Sequence, residues 1–285
     1  MTLRTLSLLL STAFLLVSCS DDGSNKDAEA LLSEARTLST SDNRADQERA
    51  VFLFDSLHKA YPTEVSLRKE AIYLSRQLRL KMSEADSADF ADRYATDSAL
   101  LVRMDPLFVR SKHPTLPDDE TVMRYRGYEP QDARGKLFLD ILLRHDASLQ
   151  IVVGTTGDRP VRFTSVKVEV PETGAYEVSD TIPISDKGRN YLFSSGGQTR
   201  LRLTLSLAGS ERIASFIALK APEKKPLTLS LMRDGKEVQK FALTPSQTET
   251  VTETYRFYAT YVELKNLEER MQRHALYRSH LRTDR

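Results

Sequence analysis

Apolar residues recur along this chain with two periods. They step by three and four over residues 27–104 and again over 244–285, and by two over much of 121–243. The first period predicts helices with one buried stripe, the second strands with one buried face. Ala28, Leu31, Leu32, Ala35 and Leu38 mark a first helix, which the turn-prone run Ser39 to Asn43 ends. Ala50, Val51, Phe54 and Leu57 mark a second, stopped at Pro62, whose fixed φ and missing N–H break a helix. A third starts near Thr63. Its Leu67, Ala71, Leu74, Leu78, Met82, Ala85, Ala88, Ala95 and Leu101 predict a heptad-like seam on one long helix.

Residues 105–120 break both periods. Pro106, Pro114 and Pro117 stand there with Asp118-Asp119, so the stretch reads as a linker. Further on, Leu201, Leu203, Leu205 and Leu207 alternate with Arg200, Arg202, Thr204 and Ser206, which predicts one buried face and one wet face. Leu227, Leu229 and Leu231 repeat the pattern. Gly196-Gly197, Gly209-Ser210 and Asp234-Gly235 each fall between strand-like runs and read as hairpin turns. Tyr191 to Leu243 therefore reads as an antiparallel meander of about five strands. Leu137–Leu143 and Leu149–Val153 read as further strands, and the apolar phase shift near Ser165 predicts a bulge. About eight to ten short strands favour a sandwich over a single sheet.

From Thr244-Pro245-Ser246 the helical period returns, with Ser246 and Glu249 spaced as a capping box. Val251, Tyr255, Tyr258 and Val262 form one stripe, and Leu264, Leu267, Met271 and Leu281 extend it. Tyr255, Phe257, Tyr258 and Tyr261 cover more than one helix face, which points to packing against the sheet. Glu84, Asp86, Asp89, Asp92 and Asp97 on the third helix face a C-terminal run of Arg270, Arg273, Arg278, Arg282 and Arg285. Opposite charges on two long helices predict antiparallel packing, with the charges setting register more than stability. The expected fold class is α+β. It comprises an N-terminal helical hairpin with a long helix, an antiparallel β-sandwich-like domain, and a long C-terminal helix packing back on the N-terminal helices.

Ahead of all this, Arg4 precedes Leu6 to Val17, an apolar run relieved by Ser7, Ser11 and Thr12. It is shorter than the ~20 residues a bilayer span needs and has the shape of a secretory signal. Leu16-Val17-Ser18-Cys19 ends it, and Cys19 is the single cysteine. This tetrapeptide resembles the lipobox of bacterial lipoproteins. The resemblance implies a diacylglycerol on the Cys19 sulfur, cleavage after Ser18 and acylation of the new amino terminus. Two or three acyl chains hold a protein to a membrane where one does not. Ser20 stands where enterobacterial inner-membrane lipoproteins carry Asp, which implies the outer membrane. Asp21-Asp22 is a short version of the acidic run on some surface-exported lipoproteins, so the periplasmic and surface faces both stay open. In layout the chain is similar to uncharacterised Bacteroides-type envelope lipoproteins. The expected organisation is a signal peptide (1–18), a lipidated tether (19–26), a helical region (27–104), a linker (105–120), an antiparallel β domain (121–243) and a C-terminal helix (244–285). Ala50, Phe54 and Pro62 also match the second half of a tetratricopeptide repeat. The first half does not match and no second repeat follows, so the reading is a helical hairpin.

Charge adds one exclusion. With 41 basic and 40 acidic residues, no global field would draw the chain to nucleic acid. Candidate chemistry is sparse. His58, His113, His145, His274 and His280 show no metal-ligand spacing. Ser194-Ser195-Gly196-Gly197 is a turn and not a nucleophile elbow, and Gly154-Thr155-Thr156-Gly157 lacks the Lys of a phosphate loop. No catalytic, cofactor or metal site is expected. The site residues are Cys19, for lipidation, and Arg270, Arg273, Arg278 and Arg282, for contact with an anionic surface such as lipid head groups or lipopolysaccharide. The same arginines would also suit a solvated helix end. The functional expectation is a membrane-anchored, non-enzymatic structural or adaptor protein with an envelope protein partner. The alternatives are a surface module that captures glycan or host protein, and a hydrolase whose site assembles only in the fold.

Overall fold

The computed structural model describes residues 21–112, 121–144 and 146–283. The lipobox with Cys19, His113, His145 and Asp118-Asp119 lie outside them. The chain divides into two units, Met1–Asp89 with Met271–Arg285, and Phe90–Arg270.

The first unit holds α1 (Asp21–Ser39), α2 (Arg44–Ala60), the front of α3 (Val65–Met104) and the end of α5 (Pro245–Thr283). Leu32 and Ala35 of α1, Ala50, Leu53, Phe54 and Leu57 of α2, and Ala71, Leu78 and Met82 of α3 form its core. Asn43 caps α2 by accepting from the Ala45 N–H at 2.9 Å. The end of α5 runs antiparallel to α3. The Arg76 guanidinium donates to the Leu281 carbonyl, Ser83 meets His274 at 3.1 Å, and Arg282 pairs with Glu84 at 3.0 Å. Charge pairing across these helices is thus present, and polar contacts to Ser83 and Ser87 join them as well.

α1 runs from Asp21 and so includes part of the stretch 19–26. Once a helix is nucleated each added residue gains a hydrogen bond, so it extends into polar sequence ahead of its apolar stripe. One expectation fails here. The seam on α3 is not continuous, since Ala85, Ala88 and Ala95 are exposed and Ser75 and Ser83 are buried, and its last member, Leu101, packs on the core of the second unit. Alanine is common on both helix faces, and the apolar periodicity did not carry the serines.

Among the described residues the second unit contains ten strands in two antiparallel sheets, plus helix α4 (Leu207–Lys220). They are β1 (Phe108–Lys112), β2 (Thr121–Tyr125), β3 (Leu137–Leu143), β4 (Leu149–Gly157), β5 (Ser165–Val170), β6 (Ala175–Val178), β7 (Asn190–Ser195), β8 (Gln198–Thr204), β9 (Thr228–Arg233) and β10 (Lys236–Ala242). The first sheet has the order β1-β2-β3-β4-β8-β7, the second β10-β9-β5-β6. One core takes Leu139, Ile141, Ile151, Val153, Leu201 and Leu203 from the first sheet and Val166, Val168, Leu229 and Leu231 from the second. Ile213, Ala214 and Ile217 of α4, and Val251, Phe257 and Tyr258 of α5, close it. Phe257, Tyr258 and, in part, Tyr255 of α5 therefore pack inward, with Phe257 4.8 Å from Phe108, while Tyr261 is half-buried with Lys265 over its ring.

Gly196-Gly197 and Asp234-Gly235 are hairpin turns, all four residues at positive φ. Gly209-Ser210 is not a turn but the first turn of α4. Ser206 caps that helix, accepting from the Gly209 N–H at 3.0 Å and donating to Asp180 at 2.8 Å. A Cβ at Gly209 would sit 2.0 Å from the Asp180 carboxylate, so glycine is what lets the acid reach the helix end. Leu207 is accordingly exposed, and the meander is interrupted by a helix. β1 lies in the expected linker because Phe108 is buried between Tyr125 and Phe257, and one such anchor outweighs four polar or exposed neighbours. β5 starts at Ser165, so the phase shift falls before the strand and no bulge interrupts it. The cap of α5 lies two residues earlier than the Ser246–Glu249 box expected from the sequence. Thr244 Oγ1 accepts from the Gln247 N–H at 3.2 Å, and Gln247 Oε1 accepts from the Thr244 N–H at 2.9 Å. No described helix is long and apolar enough to cross a membrane.

Candidate binding cleft

The face of the first sheet that points away from the core is not simply wet. Cross-strand register aligns Phe138 with Gly154, Gly154 with Arg202, and Arg202 with Tyr191, one row over β3, β4, β8 and β7. Arg202, expected on the solvent face, is 3% exposed. Its guanidinium crosses Gly154 and lies 3.8 Å from the centroid of the Phe138 ring. A side chain on residue 154 would prevent this, because a Cβ there would meet Arg202 Nη1 at 2.9 Å and the Leu201 carbonyl at 2.1 Å.

A buried cation must be paired and hydrogen-bonded, and Arg202 is. Its Nη1 donates to the carbonyls of Leu201 at 2.9 Å and Thr155 at 3.2 Å, and its Nη2 to Asp132 at 2.5 Å. Asp132 also accepts from Arg200 at 2.5 Å and from the Thr156 hydroxyl. The loop that carries Asp132 is held by the Gly135 N–H, which donates to the Thr156 carbonyl at 3.0 Å. Burial opposes ionisation of Asp132, but donation from Thr156, Arg200 and Arg202 outweighs it and holds the carboxyl below its usual range. Burial lowers the Arg202 pKa, with Asp132 opposing the shift.

Beside this row, Arg124 grips the buried Asp140 through two bonds of 3.1 and 3.0 Å. Tyr191 and Phe193 stack at the rim, 6.0 Å between centroids. Burial raises the Tyr191 pKa. These side chains line an open cleft of about 810 Å³, to which Gln150 of β4 and Ser206 at the start of α4 also contribute. A second hollow of similar volume on the second sheet has Lys167 over Tyr176 but is lined by no charged residue as buried as Arg202. The cleft floor is fixed in advance by mutual pairing. Its guanidinium planes and half-exposed aromatic rings suit recognition of planar or apolar groups.

The residues singled out from the sequence do not meet here. Arg278 donates to the Ser83 carbonyl and the Ser87 hydroxyl, and Arg282 is paired with Glu84, so both are committed to α3. Arg273 is exposed on α5, and Arg270 is half-buried. His58 accepts from Arg68 at 3.4 Å. Among the described residues no group of three or more His, Cys, Asp or Glu converges as a metal ion would require. Sequence reasoning missed Arg202, Asp132, Arg124 and Asp140. One signal was present: Asp140 stands alone inside the apolar run Leu137–Leu143, where a buried carboxylate needs a cationic partner. No family model, curated protein or solved structure matches this chain.

Proposed function

We propose that this protein is a lipid-anchored envelope lipoprotein, held to a membrane through Cys19, that binds a partner protein in the cleft of the first sheet. The observation carrying the reading is the row Phe138–Gly154–Arg202–Tyr191. It spends a glycine and a fully coordinated buried arginine on making a rigid floor beneath an open cleft. A preorganised floor of this kind lowers the cost of ordering on binding. Support for the anchor is the signal shape and the lipobox resemblance at Leu16-Val17-Ser18-Cys19.

Two experiments test the two parts. Cys19→Ser should move the protein from the membrane fraction to the soluble fraction, and retention in the membrane would refute the anchor. A photocrosslinking side chain at Gln150 should trap a discrete envelope protein, and Arg202→Met should abolish the adduct. An adduct unchanged by Arg202→Met would refute the cleft. A second reading, glycan capture, is favoured by the stacked Tyr191–Phe193 pair at the rim, since sugar rings lie well on aromatic faces. Protection of the chain from protease on intact cells would count against that reading.

A further inference from the structure

Each sheet ends in two edge strands, and three of the four edges carry the features that discourage pairing with another chain. β1 carries Arg110 and Lys112. β6 is four residues long and carries Glu177. β10 carries Lys236, Glu237 and Lys240, with its register shifted between Glu237 and Gln239. β7 is different. Its six residues, Asn190-Tyr191-Leu192-Phe193-Ser194-Ser195, include no charge and no proline. Leu192 is 39% and Phe193 41% exposed. The turn beyond, Gly196-Gly197, has no side chains to block approach.

The hydrogen-bond parity of β7 shows which groups face outward. The Thr204 N–H donates to the Arg189 carbonyl at 2.7 Å, so Arg189 and Thr204 are a bonded pair of the β7–β8 ladder. Bonded and non-bonded pairs alternate in an antiparallel ladder. Tyr191 and Phe193 therefore bond to β8, while the N–H and C=O of Asn190, Leu192 and Ser194 point away from it. The Asn190 N–H already donates to the Asp186 carbonyl at 2.7 Å, in keeping with this parity. Leu192 and Ser194 are left with their amides on the open edge.

We propose that β7 pairs antiparallel with β7 of a second copy, about a two-fold axis at Phe193. That register sets Leu192 of one copy against Ser194 of the other, so all four outward N–H groups find carbonyls. It also places the two Phe193 rings in a non-bonded pair, where facing side chains come closest. The absence of charge argues for a copy as the occupant. A two-fold axis sets residues near it against themselves, so a charged edge would meet its own sign. The two six-stranded sheets would become one of twelve strands, with the aromatic rims of the two clefts adjoining. A six-residue strand is only ~20 Å long, and a ribbon of that size buries less than the ~1,000 Å² of a stable interface. Pairing in solution is therefore weak and concentration-dependent. It needs no lipid anchor, so its test is independent of the proposed function.

The test uses the full chain with Cys19→Ser, which removes the single cysteine. Phe193→Cys should form a disulfide-linked dimer under copper-phenanthroline and oxygen, at least tenfold faster than Tyr176→Cys on β6, which is more exposed. In sedimentation equilibrium the cysteine-free chain should move toward twice its mass as concentration rises. Leu192→Lys and Ser194→Pro should each move that midpoint at least tenfold upward, with unchanged circular dichroism. Ser194→Pro removes an outward backbone donor and the 3.0 Å hydroxyl contact between Ser194 and Thr199, but no backbone bond of the β7–β8 ladder; Ser194→Ala, which loses that hydroxyl contact alone, is its control and should leave the midpoint in place. Equal cross-linking of the two cysteine variants would overturn the proposal, as would self-association indifferent to both edge variants. A chain that stays monomeric at every concentration, leaving β7 to a strand from another protein, would also overturn it.

Discussion

Replacing Gly154 by alanine tests the construction of the cleft floor. The new Cβ would lie 2.1 Å from the Leu201 carbonyl oxygen, 2.8 Å from Arg202 Cδ and 2.9 Å from Arg202 Nη1. Real Cβ atoms essentially never come closer than 3.0 Å to such atoms, so β4 and β8 must part by about 1 Å to clear the Leu201 carbonyl, and the arginine must shift as well. Overpacking of this kind costs about 1–3 kcal/mol. Pulling Arg202 off Asp132 adds to it, because a buried cation loses its partner. Against this, alanine restricts the unfolded chain and returns about 0.4–1 kcal/mol. The net expectation is a loss of about 2–4 kcal/mol. For a unit of this size that is about 5–15 °C in melting temperature, read by circular dichroism. Gly157→Ala is the control, since it lies on the same strand with nothing within 4 Å of its Cβ. In an Arg202→Ala background the backbone clash persists while the side-chain part vanishes, so Gly154→Ala should cost less there. If Gly154→Ala melts within ~2 °C of Gly157→Ala, the glycine has no role in seating Arg202.

Other predictions follow from single contacts. The folded Asp132 pKa is depressed, so its contribution is present above the unfolded value of ~3.9 and is lost as pH falls through the folded value. Asp132→Asn should therefore flatten the acid limb of the stability profile. At neutral pH it should cost about 2 kcal/mol, below the figure for a fully buried pair because Asp132 is partly exposed. Tyr128 donates to the Leu139 carbonyl at 2.7 Å, and burial pushes its pKa up to about 12, with Asp140 adding to the shift and Gln247 opposing it. Its contribution is full below pH ~10 and lost as pH rises toward the folded value. Tyr128→Phe should cost about 1 kcal/mol at pH 7 and remove part of the alkaline loss in a pH-melting series. Truncation after Arg270 should lower the melting temperature of the first unit, because it strips the partners of Ser83, Arg76 and Arg79. Arg282→Ala alone should change stability by under ~1 kcal/mol, since the Glu84 pair is exposed. An equal effect of the two changes in a urea titration would contradict that division.

The sequence by itself determined the element types over most of the chain, because burial of one face imposes a period that no other constraint imitates. Leu32, Phe54, Leu78, Leu201, Leu229 and Val251 are all core residues that the period alone marked. It also determined the Gly196-Gly197 and Asp234-Gly235 turns, whose positive φ angles glycine and aspartate accept at low cost. It misread Gly209-Ser210, since a glycine needed for a carboxylate at a helix end looks the same in sequence as a glycine needed for a turn. It placed Arg202 on a wet face because alternation says which face a side chain takes and nothing about what covers it. Only the tertiary structure brought Asp132, seventy residues away, onto that guanidinium. Pairing of this kind depends on strand order and register, which local periodicity does not encode. The same holds for the edges of the sheets. Every strand offers the same amides, and only the order β1-β2-β3-β4-β8-β7 left those of Leu192 and Ser194 facing outward.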